Sequence, residues 1–291
     1  MQSLPRRKLG RTGVEVTVLG LGGEGVLRTV GRAREAVAVI RRAVELGISY
    51  CDCAHAYAGS EDYYGEALAG GLRDRVFLTS KSAERDRAGA ERDLETTLRR
   101  MKTDRLDLWQ VHDVRTEGDL AEIFGRGGAI EAFAAAKKAG KVRFLGVTGH
   151  HDPAILTKAI ELYGFDTVLM PVNAAEPHHR SFLDETLPLA VSKGMGVIGM
   201  KVLRGFIYEG GPRTDLHPDL VRRGLNVSRL LRFAFSQPIS TAIVGCETVA
   251  QVEENVAIAK VANPLDAGER SDLVERTLPF ARTALSYKGT W

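Results

Sequence analysis

Eight short β-branched or apolar runs punctuate this chain, and segments of helical period separate them. The runs are TVLGLGG (17–23), SYCDCA (49–54), VFLTSKS (76–82), LDLWQVH (106–112), FLGVTGH (144–150), TVLMPVN (167–173), GVIGMKV (196–202) and TAIVGC (241–246). In the first intervening segment Ala36, Val39, Ile40, Ala43 and Val44 keep the i, i+3, i+4 spacing of a one-sided apolar stripe. Several helical segments carry end signals. Asp152 precedes Pro153 as an N-cap, Ser60 with Glu61 and Asp62 reads as a cap followed by acids at the positive end of a helix, and Gly47, Gly140 and Gly194 stand where a left-handed C-terminal residue is wanted. Strand and helix repeated eight times predict a parallel sheet closed into a (β/α)8 TIM barrel, as one domain over residues 1–291. A doubly wound open sheet is disfavoured, because GLGGEG lacks the spacing and the helix start of a dinucleotide fingerprint.

Two stretches lie outside the repeat. LPRRKLGRTGVEVT predicts an N-terminal β-hairpin plugging one end of the barrel, and DAGERSDLVERTLPFARTALSYKGTW predicts an extra C-terminal helix with an aromatic tail. The long connection from Arg204 to Gly224 has the length of a lid or binding loop. A net charge of +3 without a dense basic block argues against nucleic acid, and no apolar run approaches the roughly 20 residues of a membrane span. Three cysteines, Cys51, Cys53 and Cys246, are too few for a disulfide framework, so a cytoplasmic protein is expected.

Chemistry in a barrel of this kind sits at the C-terminal ends of the strands. The polar groups expected there are Asp52 and Tyr57 after the second barrel strand, Lys81, His112, Thr148 to His150, and Asn173. A tyrosine titrates at about 10 and is a weak acid at neutral pH unless a neighbouring cation favours its anion. Lys81 can supply that cation, Asp52 can hold the lysine charged, and His112 can orient a carbonyl beside the phenol. A tuned general acid next to a carbonyl suits hydride addition, in which the forming alkoxide is protonated.

On these residues the chain resembles the aldo-keto reductase family, over essentially its whole length. The family's Asp, Tyr, Lys and His tetrad matches Asp52, Tyr57, Lys81 and His112, and YCDCAHAYAGSEDYYGEAL is similar to the tract around the family's acid and tyrosine. The resemblance implies an NAD(P)H-dependent reduction of an aldehyde or ketone, with tyrosine as general acid and NADP(H) as the default cofactor. It places the adenosine phosphate near AIVGCETVAQVEENV, at Gly245, Glu247, Thr248, Gln251, Glu254 and Asn255, where a helix start suits an anion. It places the pyrophosphate near Arg204 and Gly205, and the nicotinamide near Gly23, Thr148, Asn173, Met200 and Lys201.

Three departures from the family pattern stand out. The strand-eight segment holds Glu247 where NADP-preferring members carry a cation, which keeps NAD(H) as an alternative. The strand-seven motif reads GMKVL, with Met200 in the place of a stacking aromatic and Lys201 in the place of a small hydroxyl. The Ser-Asn pair after strand five reads Thr148-Gly149. Val26, Leu27, Phe206, Tyr208 and Trp291 point to an apolar carbonyl substrate, while the oligomeric state is not readable. Two other function classes compete: a slow cofactor-binding regulatory subunit that kept the tetrad, and a metal-dependent barrel hydrolase suggested by His55, His112, His150, His151, His178 and His179. No metal is expected at the site, because strand alternation turns Cys51 and Cys53 away from Asp52 and outward against helices.

Overall fold

The computed structural model of the chain describes residues 3–206, 216 and 218–288. An antiparallel hairpin, β1 (Arg6–Lys8) and β2 (Glu15–Thr17), precedes the barrel strands. These are β3 (Leu19–Gly25), β4 (Tyr50–Cys51), β5 (Phe77–Ser82), β6 (Leu106–Val111), β7 (Val142–Thr148), β8 (Thr167–Pro171), β9 (Gly196–Met200) and β10 (Thr241–Cys246). They pair in parallel in chain order, and β10 closes on β3 to complete the eight-stranded barrel. Each of the eight sequence runs supplies one strand. The second run contributes only Tyr50 and Cys51, so Asp52 lies just beyond its strand rather than within it.

The helices are α1 (Ala33–Glu45), α2 (Ser60–Ala67), α3 (Arg87–Arg100), α4 (Glu117–Phe124), α5 (Ala129–Lys138), α6 (Pro153–Leu162) and α7 (Thr186–Ser192). They continue with α8 (Pro218–Arg222), α9 (Val227–Phe235), α10 (Val249–Val261), α11 (Ala267–Thr277) and α12 (Ala281–Ala284). The stripe of Ala36, Val39, Ile40, Ala43 and Val44 on α1 is buried against the outside of the barrel. The Asp152 carboxylate accepts from Ala154 N at 2.9 Å and starts α6, while Gly47, Gly140 and Gly194 all take positive φ after their helices. The expectation for Ser60 is corrected. The N-cap of α2 is Gly59 at φ 81°, and Ser60 is the first helical residue, with its hydroxyl 3.1 Å from Cys53 Sγ. Glu61 does not face solvent at the helix start but is buried, accepting from Thr97 Oγ1 at 2.5 Å and Ser80 Oγ at 3.0 Å.

Helices α4 and α8 were not expected. Only Leu120 and Ile123 of α4 are buried, a stripe too short to register as periodicity, although Thr116 and Asp119 form a capping box at its start. The hairpin seals the bottom of the barrel: Leu9 and Val16 pack with Tyr50, Phe77, Leu108, Leu169, Ile198 and Ile243, which point into the interior. The C-terminal segment forms its own apolar cluster with α8 and α9, through Leu220, Leu230, Phe233, Leu273 and Leu285. Among the described residues no helix is long and apolar enough to cross a membrane.

Candidate active site

At the opposite end of the barrel from the hairpin, the ends of β3, β4, β5 and β6 bring four polar side chains together. Lys81, on β5, is 1% exposed, and its ammonium donates to Asp52 Oδ2 at 2.8 Å and to the Cys53 carbonyl at 2.6 Å. Asp52 is held in turn by Thr79 Oγ1 at 3.4 Å and by its own N–H to the Leu21 carbonyl at 2.9 Å. Tyr57 sits in the turn beyond, its N–H bonded to the Ala54 carbonyl at 3.0 Å. The Lys81 Nζ lies 4.9 Å from the centre of the tyrosine ring, and His112 meets the same ring edge-on at 5.8 Å and 81°.

Gly23 makes this placement of the tyrosine feasible. A Cβ there would stand 2.6 Å from Tyr57 Cε2, so any larger residue would push the ring from its place. The guanidinium of Arg28 lies 4.9 Å from the ring centre and pairs with Glu24 at 2.7 Å. No local signal in the sequence marks Arg28 or Glu24; Glu24 lies at the end of β3 and Arg28 in the turn that follows it.

Electrostatics follows from burial. Burial lowers the Lys81 pKa, but Asp52 and Tyr57 outweigh it, and the lysine is held charged with its value raised. Burial raises the Asp52 pKa against the pull of Lys81. Tyr57 is pushed up to about 12, because desolvation exceeds the stabilisation of the phenolate by Lys81. The expected lowering of the tyrosine by its cation is therefore outweighed in this structure, and Tyr57 rests as a neutral phenol. His112 is driven well below the ordinary imidazole value by burial first and then by Lys81, Arg85, Arg28 and Arg115, so it is neutral; its Nδ1 is buried without a hydrogen-bond partner. Arg85 braces the loop that carries the imidazole by donating to the His112 carbonyl at 2.8 Å, the Asp113 carbonyl at 2.8 Å and Asp119 of α4 at 3.1 Å.

The neighbouring thiols and His55 have other partners. Cys51 and Cys53 are fully buried in the outer core, and burial raises their pKa values, to about 12 for Cys51, which leaves them protonated and poor metal ligands. His55 bridges Glu61 and Asp93, each at 3.3 Å, on the side of α3.

The residues expected around a dinucleotide divide into three groups. Met200 ends β9, Lys201 follows it, both are half-buried, and Arg204 is exposed. Lys201 lies 5.0 Å from the Tyr287 ring and Arg204 5.9 Å. Burial and the nearby Arg204 lower the Lys201 pKa to about 8, and among the described residues neither cation has a carboxylate within ion-pair distance. Gly245, Glu247, Thr248, Gln251, Glu254 and Asn255 lie together at the end of β10 and the start of α10. Thr248 caps that helix by accepting from Gln251 N at 3.3 Å, and the Gln251 side chain covers Glu247 N at 2.6 Å. The Asn255 amide faces Cys246 Sγ at 3.5 Å.

The third group is engaged within the protein. Asn173 is fully buried; its amide donates to the Lys201 carbonyl at 3.3 Å and Tyr287 Oη at 3.1 Å, and its oxygen accepts from Ala175 N at 3.0 Å. It braces the C-terminal segment and has no amide hydrogen left for a carboxamide. Gly205, at φ 74°, lets α12 approach, since a Cβ there would lie 2.2 Å from Ala284 Cα. Thr148 is 1% exposed and its hydroxyl accepts from Asp113 N at 2.7 Å. The apolar substrate expectation also changes: Val26, Leu27 and Phe206 are completely buried and form no open wall, and Tyr208 and Trp291 lie outside the described residues.

Comparison with known proteins agrees with this architecture. A family model described as the aldo/keto reductase family matches residues 18–224. The chain is 31% identical over 292 aligned residues to L-galactose dehydrogenase from Arabidopsis thaliana, covering 88% of each protein. Its fold is similar to the holo form of an aldo-keto reductase from Bacillus halodurans, with a TM-score of 0.76 at 23% identity over 95% of this chain and 96% of that one. It is also similar to an aldo-keto reductase from Klebsiella pneumoniae in complex with NADPH, with a TM-score of 0.74 at 24% identity over 97% and 96% of the two chains. With the model matching well over half of its length and the barrel closed around the four strand-end residues, the chain belongs to the aldo/keto reductase family of oxidoreductases.

Proposed function

We propose that this protein reduces an aldehyde or ketone to an alcohol with NADP(H), Tyr57 acting as general acid. The observation that carries the reading is the buried Lys81 ammonium, fixed by Asp52 and the Cys53 carbonyl under the tyrosine ring, with a neutral His112 against the ring's edge. When bound, NADP(H) would supply the hydride that the carbonyl carbon accepts. His112, uncharged at neutral pH, donates a hydrogen bond to the carbonyl oxygen and keeps it beside the Tyr57 hydroxyl. Tyr57 then gives its proton to the forming alkoxide, a stronger base than phenolate even when the phenol titrates at about 12. Lys81 stabilises the phenolate left behind, and Asp52 keeps that lysine charged and stationary.

Features of the chain itself fit a dinucleotide. Lys201 and Arg204 put two cations close together without a carboxylate partner among the described residues, an arrangement suited to a pyrophosphate. The start of α10 offers backbone N–H groups once Gln251 swings from Glu247. Met200 is half-buried at the end of β9, where its thioether can lie against a flat ring. Glu247, Thr248, Gln251, Glu254 and Asn255 form the adenosine end. Because that end lacks a cation, NAD(H) is the alternative cofactor. NADPH stays first because the Klebsiella pneumoniae relative is described with it.

The test is steady-state oxidation of NADPH and NADH with a panel of aldehydes, ketones and quinones, run beside Tyr57→Phe. Turnover in the parent and its loss in the variant are expected. Equal rates in the two proteins would remove Tyr57 from the mechanism, and cofactor binding without turnover of any carbonyl would leave the regulatory-subunit reading instead.

A further inference from the structure

One set of donor atoms at the barrel mouth has no part in the reductase chemistry. Asp113 follows His112 directly, His150 and His151 follow β7, and one donor atom from each lies within 4.8 Å of the other two. His150 Nδ1 stands 3.0 Å from Asp113 Oδ1, and His151 Nε2 stands 3.7 Å from Asp113 Oδ2. The two imidazole rings are in contact, 4.4 Å between centres. Asp113 Oδ1 and His151 Nε2 are both buried without an aligned hydrogen-bond partner, an unusual state for polar atoms inside a protein.

The backbone builds this cluster. Asp113 takes the left-handed conformation at φ 57°, which a non-glycine residue rarely adopts. Thr148 Oγ1 on its N–H at 2.7 Å and Arg85 on its carbonyl at 2.8 Å hold it there. Arg115 then grips the outer carboxylate oxygen, Oδ2, at 2.7 Å through Nε and 2.5 Å through Nη2, which leaves Oδ1 turned toward His150. Histidine and carboxylate ligands bind Zn2+ at about 2.0–2.2 Å, which sets tetrahedral donors roughly 3.4 Å apart. His150 Nδ1 at 3.0 Å from Oδ1 is close to that spacing, and with all three donors within 4.8 Å of one another small side-chain rotations bring them onto one ion.

We propose that Asp113, His150 and His151 bind a borderline divalent cation, Zn2+ or Co2+, at the rim of the barrel, with a fourth position open to water. Arg115 is the outer partner that orients the ligating carboxylate. The nearby positive charge of Lys201 keeps the affinity below that of a closed structural site, while the Arg115 charge is taken up by the carboxylate oxygen it pairs with. The other adjacent histidines are a natural control, because His178 Nε2 is engaged by the Val274 carbonyl at 2.9 Å and Thr277 Oγ1 at 3.2 Å.

The binding does not depend on the reductase reading and is measured without turnover. The full chain, stripped with a chelator, is titrated with ZnCl2 by calorimetry and with CoCl2 by visible absorption. About one saturable site is expected, with the d–d bands of Co2+ in a tetrahedral nitrogen and oxygen field. Arg115→Ala should weaken binding by roughly tenfold or more, and His150→Ala, His151→Ala and Asp113→Asn by more than that. His178→Ala should bind as the parent does. If His150→Ala does not fold, His151→Gln, which keeps a polar side chain, gives the same readout. No saturable binding in the parent, or binding that survives every change at Asp113, His150 and His151, overturns the proposal.

Discussion

Among the described residues the chain buries two lysine–carboxylate pairs on the C-terminal side of its barrel strands, Asp52 with Lys81 and Glu176 with Lys288. Their ion-pair distances are nearly the same, 2.8 and 2.7 Å, and all four side chains are almost inaccessible. They differ in what surrounds them. The Lys288 ammonium donates to Glu176 Oε2, the His179 carbonyl at 2.7 Å and the Arg180 carbonyl at 3.0 Å, so all three of its hydrogens are engaged. Glu176 also accepts from Tyr287 Oη at 2.6 Å and Phe182 N at 3.1 Å. That pair straps the C-terminal segment to the barrel. Lys81 has two such partners and faces an aromatic ring with its remaining capacity. Burial lowers the Lys288 pKa despite Glu176, whereas Asp52 and Tyr57 outweigh burial and raise that of Lys81. A fully satisfied pair is structure, and a pair left one partner short beside a phenol is available for chemistry.

Substitutions can break this comparison in several ways. The largest effect is expected at Tyr57. Tyr57→Phe should lower kcat by about 10²–10⁴-fold, the usual contribution of a positioned general acid, with an unchanged denaturant midpoint. A simultaneous drop in that midpoint would show that the phenol also holds the fold. Gly23→Ala sharpens the same point through geometry, because its Cβ would meet the Tyr57 ring at 2.6 Å. A displaced acid should cost up to about 10²-fold in kcat, read by steady-state turnover.

At the other pair the readout changes from rate to stability. Glu176→Ala leaves Lys288 buried without its counter-charge and should cost about 3–5 kcal/mol in unfolding free energy. The carbonyl reduction rate per folded molecule should hold, and a selective loss of kcat would move Glu176 into the reactive site. Tyr287→Phe removes a hydrogen bond to a charged group and the acceptor of the Asn173 amide, and should cost about 1.5–3 kcal/mol or more.

The pH dependence separates the pairs without an activity assay. Lys81 has a raised folded value, so its contribution is fully present below the ordinary lysine pKa and is lost as pH climbs through the raised one. Lys288 has a lowered folded value; the unfolded chain holds the proton more firmly, and folding gains as pH rises between that lowered value and the ordinary one. Unfolding free energies measured on both sides of the ordinary lysine pKa, about 10.4, should therefore change in opposite directions when Lys81→Met and Lys288→Met are each compared with the parent. Slopes of the same sign would show that the two pairs are electrostatically alike.

Much of the barrel was legible because its signals are local. An apolar stripe such as Ala36 to Val44 reports helix by spacing alone, and Asp152-Pro153 marks a helix start within two residues. The rim residues were legible because a strand end is a place that the repeat itself identifies. What escaped was whatever depends on partners distant in the chain. Ser60 has the chemistry of an N-cap, yet the left-handed Gly59 takes that position and the hydroxyl turns to Cys53. Asn173 has the chemistry of a carboxamide ligand, yet Tyr287, 114 residues away, engages it. Helix α4 left little periodicity, although its Asp119 anchors the Arg85 that braces the His112 loop.

The sequence by itself determined the eightfold repeat, the hairpin before it, and the rim near which Asp52, Tyr57, Lys81 and His112 lie, since periodicity and spacing are properties of neighbours along the chain. Only the tertiary structure decided that Tyr57 stays a phenol beside the charged Lys81, that Glu176 meets Lys288, and that Asp113 stands beside His150. Barrel closure and burial set those outcomes, because desolvation and the distance between charges exist only after the strands have come together.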